Sequence, residues 1–492
     1  MPHNDTDAIV AGLNDEQISA VAAPFSEPVL ALAGAGCGKT TVLTRRIAYL
    51  AREFCSPDAI LALTFTRAAA REMAERASAF TGGNPETPPF IATFHSFCLR
   101  LLLHTVDGAP LYTRLGYRTR PRLVSEKRRF RMIAAASTRE ERLALCADVI
   151  ELSAMLARRA VLYSGNLAQK PEVGAVLTAV GGRYATAKKE AGLWEYSDFI
   201  SEAIALLEKH PQAAARFLSR FRAILVDEFQ DTNPAQVLLL QKILAPGMSL
   251  FAVGDDDQAI YGFQGADRAA VLDFGVKFPG ASILKLQTNY RSTPAILAAA
   301  NRIFRKKPKA FRKVLVAGVA PAEKPPRRRA VTKAVFKSEE SMVAWLAAEV
   351  EGLVVRDKIA PSAVAVLFRL NQTLDRVKTM LASTFGSREE RPQFLTVHGS
   401  KGREFEAVFL CDLEEGVFPK KQTERGRATW LGNIAEKPGI AGDDGESTAE
   451  ERRLFYVGVT RAKRFLWLVS VKRKELYGRT RNLVPSRFVR LI

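Results

Sequence analysis

The chain has 492 residues, 47% apolar and 25% charged, a balance that excludes a disordered, collagenous or filamentous protein. Lysine and arginine outnumber aspartate and glutamate by 72 to 52, and the resulting net charge of +20 points to a polyanionic partner, nucleic acid first. No apolar run reaches the roughly 18 residues that a bilayer requires, the acidic start does not read as an export leader, so secretion is not expected, and five scattered cysteines without a C-x-x-C pair support neither disulfides nor zinc. A cytoplasmic protein that does not engage a membrane is expected.

In chain order, four short β-rich runs come first: Val29 to Ala33, Ile60 to Thr64, Ala223 to Val226 and Leu250 to Val253. Each ends at a polar or glycine-bearing turn and leads into helix-compatible sequence. That alternation predicts βα units of a parallel sheet, with sites at the C-terminal ends of the strands. Residues 100–195 differ. SEKRRFRMIAAASTREERLALCADVIELSAMLARRAV sets charged against apolar positions at helical spacing and predicts a helical insertion. A second set of runs, Ile283 to Leu286, Ala363 to Phe368, Phe394 to Val397, Ala407 to Cys411 and Phe465 to Val469, predicts a second sheet. From Arg302 to Lys333 there are twelve lysines or arginines against one acid, Glu323. That segment reads equally as a solvated connector or as a surface facing nucleic acid.

AGAGCGKTT (Ala33 to Thr41) follows an apolar strand and precedes VLTRRIAYL, which has helical period. Strand, glycine loop and helix in that order is the setting of a Walker A phosphate loop. Its first glycine is replaced here by Ala33. Gly34, Ala35, Gly36, Cys37 and Gly38 would lay backbone N–H groups around phosphate oxygens, at a helix N-terminus that favours negative charge. Lys39 can reach the β- and γ-phosphates, and the Thr40 hydroxyl can ligate Mg²⁺. In ILVDEFQDTNPAQ a hydrophobic strand ends in adjacent acids. Asp227 can hold Mg²⁺ there and Glu228 can polarise an attacking water, so ATP and Mg²⁺ are the expected cofactors. Such a carboxylate pair could also cap the next helix, but its coupling to a phosphate loop favours catalysis. An inserted domain accounts for the long stretch between the two motifs.

AGAGCGKTT, LALTFTRAAAREM, TFHSFCLRLL, VDEFQDTN, VGDDDQAIYGFQGA, LQTNYRST, TVHGSKGREFEAVFL and RRLFYVGVTRAK occur in this order, and with LNDEQ before them and KRKELYGRTRNLVPSRFVRLI after them the matches span residues 13 to 492. Together they resemble the motif set of the UvrD/Rep/PcrA-type superfamily 1 DNA helicases. The resemblance implies an α/β fold of two RecA-like P-loop cores that close on ATP, and 3′→5′ translocation on single-stranded DNA. Gln17 resembles the adenine-reading glutamine, Tyr290 the aromatic that stacks on adenine, and Gln258 the γ-phosphate sensor. Arg291 and Arg461 resemble the two arginines that enter from the second core, and Glu404 the nucleotide-contacting glutamate. A guanidinium beside a transferring phosphoryl group contributes about 10³ to 10⁵ in rate. Supplying it from the other core would link hydrolysis to closure.

The same resemblance marks Phe65, His95, Tyr261, Phe263 and His398 as a single-strand track, with Tyr477 at the tip of a duplex-splitting hairpin. Base stacking on such rings is worth about 1–3 kcal/mol and tolerates any sequence. Three positions depart from the family pattern: Phe263 stands for a common tryptophan, while Gln264 and Thr41 stand for common arginines. Only a short stretch separates Phe368 from Phe394, so the large 2B subdomain of bigger relatives is expected to be absent or vestigial around 370–393. The implied division is a first core of 1–99 and 196–282, a 1B-like helical insertion of 100–195, and a second core of 283–492. Single-stranded and tailed duplex DNA are the expected partners, in repair, replication or anti-phage defence. Compact relatives also serve beside nucleases, as in Gabija anti-phage systems. A nucleotide-gated DNA-sensing subunit of a nuclease complex, with little unwinding of its own, is therefore the alternative, and an RNA-directed helicase a third.

Overall fold

The computed structural model describes residues 8–80, 87–145, 147–162, 171–262, 265–308, 311–318, 328–382, 391–420, 446–476 and 478–492. Phe263, Gln264 and Tyr477 lie outside the described residues.

The first sheet has six strands: β1 (Val29–Ala33), β2 (Ile60–Thr64), β3 (Phe90–Thr93), β4 (Ala223–Val226), β5 (Ser249–Gly254) and β6 (Ser282–Leu286). Their order is β6-β1-β5-β4-β2-β3 and every pairing is parallel. The strands read as unbroken apolar runs because both faces are covered. Leu30, Leu32, Leu61 and Leu63 point into one apolar cluster, and Val29, Ala31, Ile60 and Ala62 into another. Val42, Leu43 and Ile47 of the helix Lys39–Glu53 cover the second face. The helices Phe94–Leu103, Tyr196–Lys209 and Pro234–Ile243 cover the first.

The second sheet comprises β7 (Val331–Phe336), β8 (Val364–Phe368), β9 (Gln393–Thr396), β10 (Phe405–Leu410) and β11 (Ala462–Val471), in the order β7-β11-β10-β8-β9, again all parallel. Ala365, Leu367, Val408 and Leu410 belong to the same apolar cluster as Val29 and Ala31. One core thus runs from the first sheet to the second. After β11 the chain forms a hairpin, β12 (Arg473–Leu476) against β13 (Arg479–Asn482).

Between β3 and β4 lie the helices Glu126–Ala136, Arg139–Ala144, Val149–Leu162 and Pro171–Glu190. Ile133, Leu152, Met155, Leu177, Val180 and Tyr184 give this helical region a cluster of its own. Its stem is closed where Arg122 and Leu123 pair with Leu193 and Trp194.

Two strand expectations need correction. The run Ile283 to Leu286, expected in the second sheet, is the edge strand of the first and pairs with β1. A run of apolar residues carries no label for the sheet it will join. Strands β3 and β7 were not expected at all. Both lie at sheet edges and are half-buried, so their sequences lack the continuous apolar run that marks a central strand.

Candidate nucleotide site and nucleic-acid pocket

The phosphate loop leaves the C-terminal end of β1. Ala33 is its last extended residue, so a Cβ costs nothing where the strict pattern has glycine. Gly36 and Gly38 have φ of +70° and +80°, which glycine alone adopts without strain. The Cys37 thiol is buried and, chiefly for that reason, pushed up to about 12. It fills space and is not reactive.

Strand β4 ends beside this loop and delivers the acids. Asp227 is buried, and burial together with the adjacent Glu228 carboxylate raises its pKa to about 7. Among the described residues its protein hydrogen bond comes from the Glu228 amide to Oδ1, which leaves Oδ2 without one. A carboxylate oxygen with no protein hydrogen bond, beside a threonine-bearing phosphate loop, suits an oxygen-loving divalent cation. Thr40 and Asp227 are the residues that would hold it. Glu228 behaves oppositely. Burial would raise it, but Lys39 and Lys401 hold it down at about 2, and Lys39 Nζ stands 3.7 Å away. Glu228 is also a non-glycine residue at φ 48°, a left-handed conformation costing about 1–3 kcal/mol.

A hydrogen-bonded chain runs on from Glu228. Its carboxylate accepts from Gln230 Nε2, and Gln230 Oε1 accepts from the Asp255 amide at 2.8 Å. Asp255 Oδ2 accepts from Gln258 Nε2 at 2.6 Å, and Gln258 Oε1 accepts from Arg461 NH2 at 3.0 Å. Arg461 precedes β11 of the second sheet and Gln258 follows β5 of the first, so this bond crosses between them. Burial, and next the nearby Arg291 guanidinium, lower Arg461 to about 9. Two guanidiniums close together in a buried place favour an anion. Arg291 itself donates through Nε to Glu404 Oε2 at 2.7 Å, and Glu404 also receives Lys463.

On the nucleoside side, Tyr290 is 54% exposed and its hydroxyl accepts from Asn14 Nδ2. Gln17 is buried. Its amide donates to the Cys37 carbonyl, and its Oε1 accepts from the Asn14 amide in a capping box. Reading a base with this carboxamide would require exchanging one of those bonds.

Phe65, His95 and Tyr261 line one cavity of about 280 Å³ with Phe94, Asp231 and Gln236. The Phe65 and Tyr261 rings are stacked at 5.9 Å and 6°, and Lys401 Nζ lies 4.7 Å above Tyr261. His398 is not among the lining residues. Burial and then Arg369 lower its pKa to about 4.

The motif reading missed several residues that hold this site together. Gln230 bridges Glu228 and Asp255. Asn289 donates to the Ala35 carbonyl while its Oδ1 accepts the Arg291 and Ser292 amides. Lys401 donates to Asp231 and to the Gln258 carbonyl, also between the sheets. All three lie inside motifs already quoted, but their partners are distant in sequence and only folding brings them together. Part of the basic segment turns inward: Lys313 and the Lys307 side chain are buried against Asp255, Asp256 and Asp257, while Arg302, Arg305 and Lys306 are exposed.

Residues 13–279 match the UvrD/REP helicase N-terminal domain, and residues 284–384 and 385–473 the UvrD-like helicase C-terminal domain. The chain is 31% identical over 404 residues to the ATP-dependent DNA helicase UvrD1 of Mycobacterium leprae, covering 75% of this chain and 48% of that protein. It is 30% identical over 496 residues to a probable DNA helicase of Mycoplasma pneumoniae, covering 98% and 87% respectively. With the ATP-dependent DNA helicase PcrA of Staphylococcus aureus it shares 35% over 321 residues, covering 61% and 42%. The chain thus spans about half the length of its mycobacterial relative.

Proposed function

Because the chain belongs to the UvrD-like helicase family, we propose that it is a DNA-stimulated ATPase and helicase that moves 3′→5′ along single-stranded DNA. The observation that carries this reading is the Arg461–Gln258 hydrogen bond between the two sheets. In this reading the bond reports the presence of a γ-phosphate to both halves of the molecule at once.

Lys39 and the glycine-loop amides bind the triphosphate, while Thr40 and Asp227 would hold Mg²⁺, which would supply positive charge to the phosphates. Glu228, kept ionised by Lys39 and Lys401, accepts a proton from the attacking water. Arg291 and Arg461 meet the charge that builds on the equatorial oxygens, where an arginine contributes about 10³ to 10⁵ in rate. Tyr290 stacks on the base, with Gln17 and Glu404 at the edge of the nucleotide. Single-stranded DNA lies across Phe65, His95 and Tyr261, and Asp231–Lys401 links that pocket to Gln258.

The proposed division keeps a first core, the helical insertion and a second core with 2B absent or vestigial around 370–393, and the first core is extended through Leu286 because β6 pairs with β1. The finer proposal is service in DNA repair, replication or anti-phage defence, with a nuclease subunit as a candidate partner. ATP turnover measured with a length series of single-stranded oligonucleotides tests the motor reading. Turnover should rise with strand length, and DNA should stimulate more than RNA. Stimulation that saturates at the shortest binding length would identify a DNA sensor instead.

A further inference from the structure

Three consecutive aspartates, Asp255, Asp256 and Asp257, bring carboxylate oxygens within 4.8 Å of one another in a buried place. That geometry could hold a metal ion, but here the chain supplies the positive charge itself. Lys313 Nζ lies 2.7 Å from Asp255 Oδ1, 2.7 Å from Asp256 Oδ1 and 3.1 Å from Asp257 Oδ2. Lys307 Nζ bonds Asp256 and lies 2.8 Å from Asp257, and Arg268 reaches Asp256 at 3.3 Å. Three cations balance three anions, so the cluster has no net charge with which to attract a metal.

Lys313 is the most deeply placed of the three cations, its side chain 1% exposed. Burial by itself would lower its pKa; the aspartates reverse this and hold the ammonium charged. A buried group of this kind is costly unless every member is paired, so its geometry is tightly held.

The segment that carries Lys313 touches the nucleotide site at several points. A Cβ built on Gly34 of the phosphate loop would lie 2.2 Å from Leu315 Cδ2, and one on Gly318 would lie 2.7 Å from the Tyr290 ring. Asn301 clamps the Leu315 backbone at both its amide and its carbonyl. Val316 and Ala317 pair with Thr288 and Asn289. Residues 311–318 therefore form a strap across the phosphate loop, with Lys313 as its electrostatic anchor.

We propose that Lys313 is a positioning residue for ATP turnover, acting on Gln258 through Asp255. The Asp255 carboxylate is shared: Oδ1 faces Lys313 and Oδ2 receives the Gln258 amide at 2.6 Å. Gln258 in turn presents Oε1 to Arg461. Removing the ammonium leaves Asp255 Oδ1 with the Asp257 amide at 3.2 Å as its remaining hydrogen bond, so the carboxylate is less firmly held and the sensor amide shifts with it. This inference rests on the ATPase reading and adds to it a residue from outside its motifs.

The test compares wild type with Lys313→Met, Lys313→Arg and the charge-balanced pair Lys313→Met/Asp256→Asn. The paired variant removes one charge of each sign, so it stays informative if the single variant fails to fold. Steady-state ATP turnover and the affinity ratio of a non-hydrolysable ATP analogue to ADP are read for each. The expected result is a fall in kcat of about 10²-fold, typical of a misplaced group, with KM nearly unchanged. The analogue's advantage over ADP should be lost, and Lys313→Arg should restore part of both. In a Gln258→Ala background the Lys313→Met/Asp256→Asn change should cost nothing further in kcat. Wild-type kcat in the paired variant, or an equal further loss in the Gln258→Ala background, overturns the inference and leaves the ATPase reading intact. A wild-type chain that neither binds nor turns over ATP overturns the ATPase reading, and the inference with it.

Discussion

Lys39 stands 3.7 Å from Glu228, so its ammonium has a carboxylate partner that an incoming triphosphate can replace. Lys39→Ala should abolish ATP turnover while thermal unfolding and single-strand binding persist; turnover that survives would show that the phosphate loop has been misassigned. Arg461 is more committed, since its guanidinium bonds Gln258, the Val457 and Arg403 carbonyls and the Thr460 hydroxyl. Arg461→Lys keeps the charge but cannot keep that fork. It should lower kcat by at least about 10³-fold with little change in nucleotide affinity, which steady-state kinetics and direct binding would separate. His398 supplies a pH test. Burial and Arg369 take its pKa from 6.5 to about 4, so between those values the folded chain binds fewer protons than the unfolded one. Its contribution to stability is therefore present above pH 6.5 and is lost as pH falls toward 4, to the order of 3 kcal/mol. Unfolding midpoints across that window should drop more steeply in wild type than in His398→Gln.

At the scale of elements, the phosphate loop is shaped by its neighbours as much as by its own glycines. A Cβ on Gly36 would lie 2.5 Å from Asn289 Nδ2 and 2.8 Å from Arg291 Cβ, at a φ of +70°. Gly36→Ala should cost about 1–3 kcal/mol in stability and displace the Arg291 turn. A lower melting temperature and weakened nucleotide binding in the same variant would report both effects. The cavity proposed for nucleic acid is likewise a junction of elements: Phe65 follows β2, His95 lies in the helix after β3, and Tyr261 follows β5. Phe65→Ala removes one face of the Phe65–Tyr261 stack. Single-strand affinity should fall by about 1–3 kcal/mol with basal ATP turnover unchanged, as fluorescence anisotropy and a DNA-free assay would show.

Across the whole molecule, the two sheets share one apolar core, and polar bonds are laid over it at Arg461–Gln258 and Lys401–Asp231. In the proposed motor, nucleotide binding would act on this joint by exchanging its polar contacts while the apolar part stays buried. With a net charge of +20, single-strand affinity should fall with salt, at a log–log slope of about −0.7 per phosphate neutralised. A flat response would exclude an electrostatic track. Not every positive charge serves that track, because Lys307 and Lys313 are consumed inside the protein.

The strand, glycine turn and helix of AGAGCGKTT, the apolar strand that ends at Asp227, the parallel character of the first sheet and the helices between β3 and β4 were all legible in the amino-acid sequence. Each depends on a contiguous pattern: an apolar run, a glycine spacing, a helical period. The sheet that strand β6 joins, the bond between Gln258 and Arg461, and the inward turn of Lys307 and Lys313 were decided only by tertiary structure. Asp255 and Lys313 meet because the strap crosses the phosphate loop, and a local pattern of charges cannot say which lysine will lose its water. Local chemistry is written along the chain, whereas electrostatic pairing depends on which distant groups burial brings into contact.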